Sequence, residues 1–210
     1  MRLADAITLL RTALIIAVAY MIIFKLYPYL IVAIIAFAML LDGVDGYAAL
    51  WQESGGEISF AEYLKAASGN ALIAKKVKKI KERIQKHAPH GPRMDVAGDR
   101  IVEYVFWILF TYLRIIPLFV LFIIVVRHSF ADALMGARGT SSKMKTRFAK
   151  AVYSSNISRG GVNVLKFLAF SYLSLVYTLN YPAMPGYALV VILVSLVLLR
   201  GAAEIYESIM

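Results

Sequence analysis

Apolar residues along this chain come in long blocks separated by short polar or proline-bearing breaks. That is the pattern of membrane-spanning helices, not of helices with one core-facing side. A transmembrane helix needs about 20 mostly apolar residues to cross the hydrocarbon. Blocks of that length predict six spans, at 8–25, 29–50, 95–113, 116–135, 161–179 and 186–206. The breaks carry Pro28, Pro117, and Pro182 with Pro185, where the chain reverses between helices. Tyr27, Tyr29, Tyr177, Tyr181 and Tyr187 flank several ends, as an interfacial aromatic belt does. The expected fold is all-α: an integral membrane bundle of six transmembrane helices with a cytoplasmic inserted helical segment. Its parts are 1–50 with the first two spans, the insertion 51–90, and 91–210 with the last four spans. No internal repeat is visible.

Two stretches do not fit a span. The first opens with "WQESGGEIS", a polar exit, and holds a short helix candidate, "FAEYLKAA", before a turn at Ser68-Gly69-Asn70. Then comes "ALIAKKVKKIKERIQKH", where Ile73, Val77, Ile80 and Ile84 form one apolar stripe on a helix otherwise dense in lysine. Such a helix lies on anionic lipid headgroups, pairs with another helix, or contacts substrate directly, and the sequence leaves all three open. The second stretch, 136–160, is basic and rich in serine and glycine.

Composition agrees with the membrane reading. The 210 residues are 60% hydrophobic, which leaves too little charged surface to keep a soluble domain dispersed. The net charge of +10 does not point to nucleic acid, because the basic residues are confined to particular segments. Only Lys25 and Arg114 border one side of the bundle, while 51–94 and 136–160 hold most of the rest. The positive-inside rule therefore places those segments and both termini in the cytoplasm, with the chain multi-pass in the cell membrane. A signal peptide cleaved after Ala17-Val18-Ala19 is disfavoured, since Asp5 sits in the leading region and the apolar run continues. Cysteine is absent, so there is neither a disulfide nor a thiolate metal site.

The carboxylates change the picture most. Asp42 and Asp45 lie three apart at the end of the second span, and Asp95 and Asp99 lie four apart at the start of the third. Each pair shares one helical face. Four converging carboxylates repel one another unless cations lie between them, and hard oxygen ligands suit magnesium, manganese or calcium. Small residues at Gly43, Gly46, Ala48, Ala49, Gly91 and Gly98 leave room for close approach. The structural alternative is neutralisation of Asp95 or Asp99 by Arg93 or Arg100. His87, His90 and His128 form no ligand pattern.

These residues resemble the signature of the CDP-alcohol phosphatidyltransferase family, Asp-x2-Asp-Gly-x2-Ala-Arg followed by Gly-x3-Asp-x3-Asp. Asp42, Asp45, Gly46 and Ala49 match its first half, and Gly91, Asp95 and Asp99 its second. The start, "ADAITLLRTAL", resembles the family's entry segment and puts Thr8 and Arg11 on matching positions. The family's six spans and cytoplasmic termini extend the resemblance over the chain. Two departures stand out. Leu50 occupies the position of the family's arginine, and residues 50–90 separate the halves where the family has a far shorter spacer. Either a lysine of the insertion, such as Lys75 or Lys76, replaces that arginine, or affinity for the donor is lower.

The resemblance implies transfer of a phosphatidyl-type or archaetidyl group from a CDP-linked lipid to an alcohol, with release of CMP. It implies Mg2+ or Mn2+ held by Asp42, Asp45, Asp95 and Asp99, with Asp99 also the general base. CDP contacts would come from Asp42, Gly46, Ala49, Gly91 and Thr8, at the cytoplasmic face of the bilayer. It also implies a homodimer. For the acceptor, "SSKMKTRF" resembles the glycerol-phosphate-using branch, whereas "MDVAGDRIVEYVF" resembles the inositol-phosphate branch. Lys143, Lys145, Arg147 and the intramembrane Arg127 are the candidate phosphate ligands. Lipid-headgroup binding explains the lysines equally well, and Glu103 reads as a structural partner of a basic residue. Other readings left open are a non-phosphorylated acceptor such as serine, a catalytically impaired relative, and a divalent-cation transporter.

Overall fold

The computed structural model describes residues 3–67, 70–87, 91–138 and 156–209. Among them are eight helices and no strand: α1 Leu3–Ile23, α2 Pro28–Glu53, α3 Phe60–Ala67, α4 Ala71–His87, α5 Gly91–Tyr112, α6 Leu118–Arg138, α7 Asn156–Leu179 and α8 Ala183–Ile209. Local chemistry sets the reversals. Lys25 and Tyr27 take left-handed φ of 53° and 45°, and Pro28, its φ already helical, opens α2. Asn180, left-handed at φ 54°, ends α7 two residues before Pro182, and Arg114 does the same after α5, three residues before Pro117.

Four helices among the described residues are long and apolar enough to cross a membrane, within Leu3–Ile23, Pro28–Glu53, Gly160–Leu179 and Ala183–Tyr206. Most residues of each are not buried within the protein, so their apolar side chains require an apolar solvent. α5 and α6, 22 and 21 residues long, also have the length of a span at about 1.5 Å per residue. The first half of α5, however, carries Asp95, Asp99, Arg100 and Glu103.

The chain divides into two compact units. The first comprises 1–24 and 29–105. Here the exit from α2 is a built turn: Gly55 and Gly56 are left-handed, and the Gly56 N–H donates to the Trp51 carbonyl at 2.9 Å. α3 starts on a capping box. The Ser59 N–H donates to the Glu62 carboxylate (2.9 Å), and the Glu62 N–H donates to the Ser59 hydroxyl (3.2 Å). The Ser59 N–H and hydroxyl, both donating to the Glu62 carboxylate, hold it below its usual range. Asn70 caps α4 through its side-chain oxygen, which accepts from Ile73 N–H at 3.3 Å.

The stripe on α4 has a protein partner. Val77 and Ile80 form a buried cluster with Ile58 and Leu50, flanked by Ile73, Ile84, Tyr63 and Ala66. Helix pairing therefore accounts for the stripe, and the lysines stay on the outer face, where Lys75, Lys76, Lys78 and Lys79 are exposed. Leu50 is also explained. It is only 1% exposed and is the point of α2 on which the inserted hairpin rests. Leu50→Ala should cost about 2–5 kcal/mol of docking energy. The check is hydrogen exchange, in which 60–87 should lose protection while α1 and α2 keep theirs.

The second unit comprises 25–28 and 106–210. α8 packs against both α6 and α7. Phe106 and Trp107 of α5 meet Phe170 of α7, stacked at 4.7 Å and edge-on at 5.3 Å. The Lys25 ammonium lies 4.7 Å from the Tyr177 ring centre, a cation–π contact.

Candidate metal centre

Three helices of the first unit bring the signature residues together. Gly98 makes this possible: a Cβ there would collide with the Thr8 methyl group and come within 3.3 Å of Arg11 Nη2. With no side chain in the way, α5 lies close to α1, and Arg11 reaches between α2 and α5. Arg11 is buried at 3% exposure and pairs with Asp42 on one side and with Asp99, at 2.7 Å, on the other. A guanidinium suits this bridge because its planar fork offers several donors at fixed angles. The α1 entry is tied to the end of α2 by the Leu3 N–H, which donates to Gln52 Oε1 at 3.1 Å.

Asp42, Asp45 and Asp95 each present a carboxylate oxygen, all within 4.8 Å of one another. Asp45 is buried, and its Oδ2 has no hydrogen-bond partner. A buried carboxylate oxygen without a partner is costly, so native structures rarely keep one without a reason. A hard divalent cation supplies that reason, and three carboxylates form the donor set it prefers. The residues present therefore fit a hard divalent cation.

The predicted residues fall into distinct places. Asp42, Asp45 and Asp95 converge, and Asp99 is adjacent through its shared partner Arg11. Gly46 is exposed and Ala49 half-buried on α2, while Gly91 is the first residue of α5. Thr8 is buried at the α1–α5 seam, its hydroxyl donating to the Ala4 carbonyl at 3.2 Å. Arg11 neutralises Asp42 and Asp99, and Arg100, offered with Arg93 by sequence reasoning, has Glu103 at 3.4 Å among its partners; the side chain of Arg93 lies outside the described residues.

Arg127 sits in the second unit. Its Nη2 meets Glu204 at 2.9 Å, its Nε donates to the Val197 carbonyl at 3.1 Å, and its Nη1 lies 2.9 Å from His128 Nδ1. All three nitrogens of this candidate phosphate ligand are engaged internally. Gly201 gives the side chain its path, since a Cβ there would stand 2.7 Å from Arg127 Cγ. Lys143, Lys145 and Arg147 lie outside the described residues, as does the turn at Ser68-Gly69.

Sequence reasoning missed Tyr63. The hydroxyl of this α3 residue reaches Gly46, and burial, followed by the charges of Asp45 and Asp95, pushes its pKa above the usual tyrosine range. A signal was present in "ISFAEY": the capping box Ser59–Glu62, with Ile58 and Tyr63 at the two positions of a hydrophobic staple.

A helical membrane protein with a carboxylate centre near the end of an apolar helix is the class that fold and site define. Within it, the family model for CDP-alcohol phosphatidyltransferase matches residues 1–54. The match covers α1 and α2 with Arg11, Asp42 and Asp45, and stops short of the insertion and of Asp95. No curated protein and no solved structure matches the chain.

Proposed function

We propose that the protein is a CDP-alcohol phosphatidyltransferase that moves a phosphatidyl-type or archaetidyl group from a CDP-linked lipid to a phosphorylated polyol. The observation that carries this reading is the convergence of Asp42, Asp45 and Asp95, with Asp45 Oδ2 left without a partner, on helices whose first pair matches the family. Asp42, Asp45 and Asp95 would hold Mg2+ or Mn2+, which when bound neutralises charge on the diphosphate of the leaving CMP. Asp99 accepts the proton of the acceptor hydroxyl as its oxygen attacks the lipid-bearing phosphorus and the bond to CMP breaks. Arg11 orients that base by holding Asp99 Oδ1, which leaves the other oxygen for the acceptor. Gly46 and Gly91 keep the backbone open to the nucleotide.

In this reading α5 and α6 complete a six-span bundle with the site on the cytoplasmic side, as the basic segments direct. Since Arg127 is engaged internally, the acceptor phosphate falls to Lys143, Lys145 and Arg147. The test is CMP release by purified protein with CDP-linked lipid, Mn2+ or Mg2+, and a panel of inositol phosphate, glycerol phosphate and serine. Release is expected with a phosphorylated polyol and is expected to be lost in Asp99→Asn. No release with any acceptor, or full activity in that variant, would sink the reading. Ion flux in liposomes without CDP-lipid would favour a transporter instead.

A further inference from the structure

The inserted hairpin does more than cover the end of α2. Tyr63 is the fourth residue of α3, and its ring is fixed on three sides: by Ile58 and the apolar cluster, by Tyr47 with ring centres 5.8 Å apart, and by Phe60 at 6.4 Å. Its hydroxyl is thereby held at Gly46, where a Cβ would come within 3.1 Å of it. Gly46 directly follows Asp45 and is exposed. Among the described residues the hydroxyl has no hydrogen-bond partner. Were Tyr63 there to satisfy Asp45, it would donate to Oδ2, yet that oxygen has no partner either. A donor and an acceptor thus stand at the same end of α2 without using each other.

Their needs are different and complementary. A cation satisfies the carboxylates but leaves the phenol, which is a donor at neutral pH, without an acceptor. A free phosphate suits the phenol but is repelled by three carboxylates. A phosphate that arrives on a divalent cation serves both. We propose that Tyr63 is a ligand-binding residue of this site, its hydroxyl donating a hydrogen bond to a phosphate oxygen of a metal-bound nucleotide diphosphate. The insertion then contributes to substrate binding through a tyrosine rather than through a lysine: Lys75 and Lys76 are exposed, and Lys76 Nζ donates to the Glu57 carbonyl at 3.4 Å. This rests on the reading of the site as one for a CDP-linked donor.

The experiment is titration of CDP, with and without Mn2+, into the full-length chain in lipid nanodiscs, comparing the unchanged protein with Tyr63→Phe. Phenylalanine keeps the ring in the apolar cluster, and an unchanged melting temperature verifies the fold. Tyr63→Phe is expected to bind CDP about tenfold more weakly in Mn2+, the effect of one hydrogen bond to a charged oxygen, with Mn2+ binding alone unchanged. Gly46→Ala should cost less CDP affinity in the Tyr63→Phe background than alone, because its methyl group then meets no hydroxyl. Equal CDP affinity in the two proteins overturns the role of Tyr63 and leaves the transferase reading standing. Weaker Mn2+ binding without nucleotide also overturns it, by placing the phenol at the cation itself. If the unchanged protein binds no CDP in Mn2+, the nucleotide reading falls and the role of Tyr63 falls with it.

Discussion

Asp45→Asn should lower CMP release by about a thousandfold and, in the absence of metal, raise the melting temperature. The two effects have one origin. Asp45 places a carboxylate oxygen in the protein with no partner, beside Asp42 and Asp95. Asparagine occupies nearly the same volume without the charge, so the folded protein no longer bears that repulsion and desolvation, worth about 1–3 kcal/mol. A cation, by contrast, loses one of three ligands, and the several kcal/mol of charge stabilisation it gives to phosphoryl chemistry go with it. Thermal unfolding with and without Mn2+, run beside the CMP assay, measures both. A carboxylate kept only for structure would behave in the opposite way. Loss of stability in metal-free Asp45→Asn would therefore count against a metal centre.

Arg11→Met should strongly destabilise the first unit. It keeps the length and apolar stem of the side chain but removes the positive charge between Asp42 and Asp99. Removing one member of a buried ion pair costs about 3–5 kcal/mol, and the half-open Asp99 argues for the lower end of that range. Arg11→Lys should fall between the two, since an ammonium cannot bridge both carboxylates as a planar fork does. Added Mn2+ should restore part of the lost melting temperature in Arg11→Met, because a cation supplies the missing positive charge. Identical melting with and without Mn2+ would show that the carboxylates do not bind it.

The helices were legible in the sequence because each rests on signals within a few residues. Apolar length marked the spans, and Pro28, Pro117 and Pro182 marked their limits. Spacing alone put Asp42 with Asp45 and Asp95 with Asp99, and Gly98 was visible as a point of close approach. What connects one helix to another was not legible. Arg11 meets Asp99 across 88 residues, and Arg127 meets Glu204 across 77. The need of a membrane arginine for a counter-charge is a general rule, but which carboxylate answers it is decided by packing. The stripe of α4 was likewise clear while its partner was not, so Leu50 was read as a missing arginine before it could be read as a contact.

The bridge from α1 to α2 also bears on how the chain enters its membrane. An arginine in a spanning helix carries an insertion cost, about 2.5–3.5 kcal/mol at the centre and less toward an end, and an aspartate a similar one. Arg11 is near the middle of α1, and Asp42 follows on the very next helix, after a reversal of only a few residues. As the ribosome delivers the chain, the two side chains can partition together as an ion pair, before α5 and Asp99 have been made. The same guanidinium that later steadies Asp99 thus eases the biogenesis of the first two helices. A substitution at Arg11 should accordingly show itself in how much protein reaches the bilayer as well as in what that protein does there.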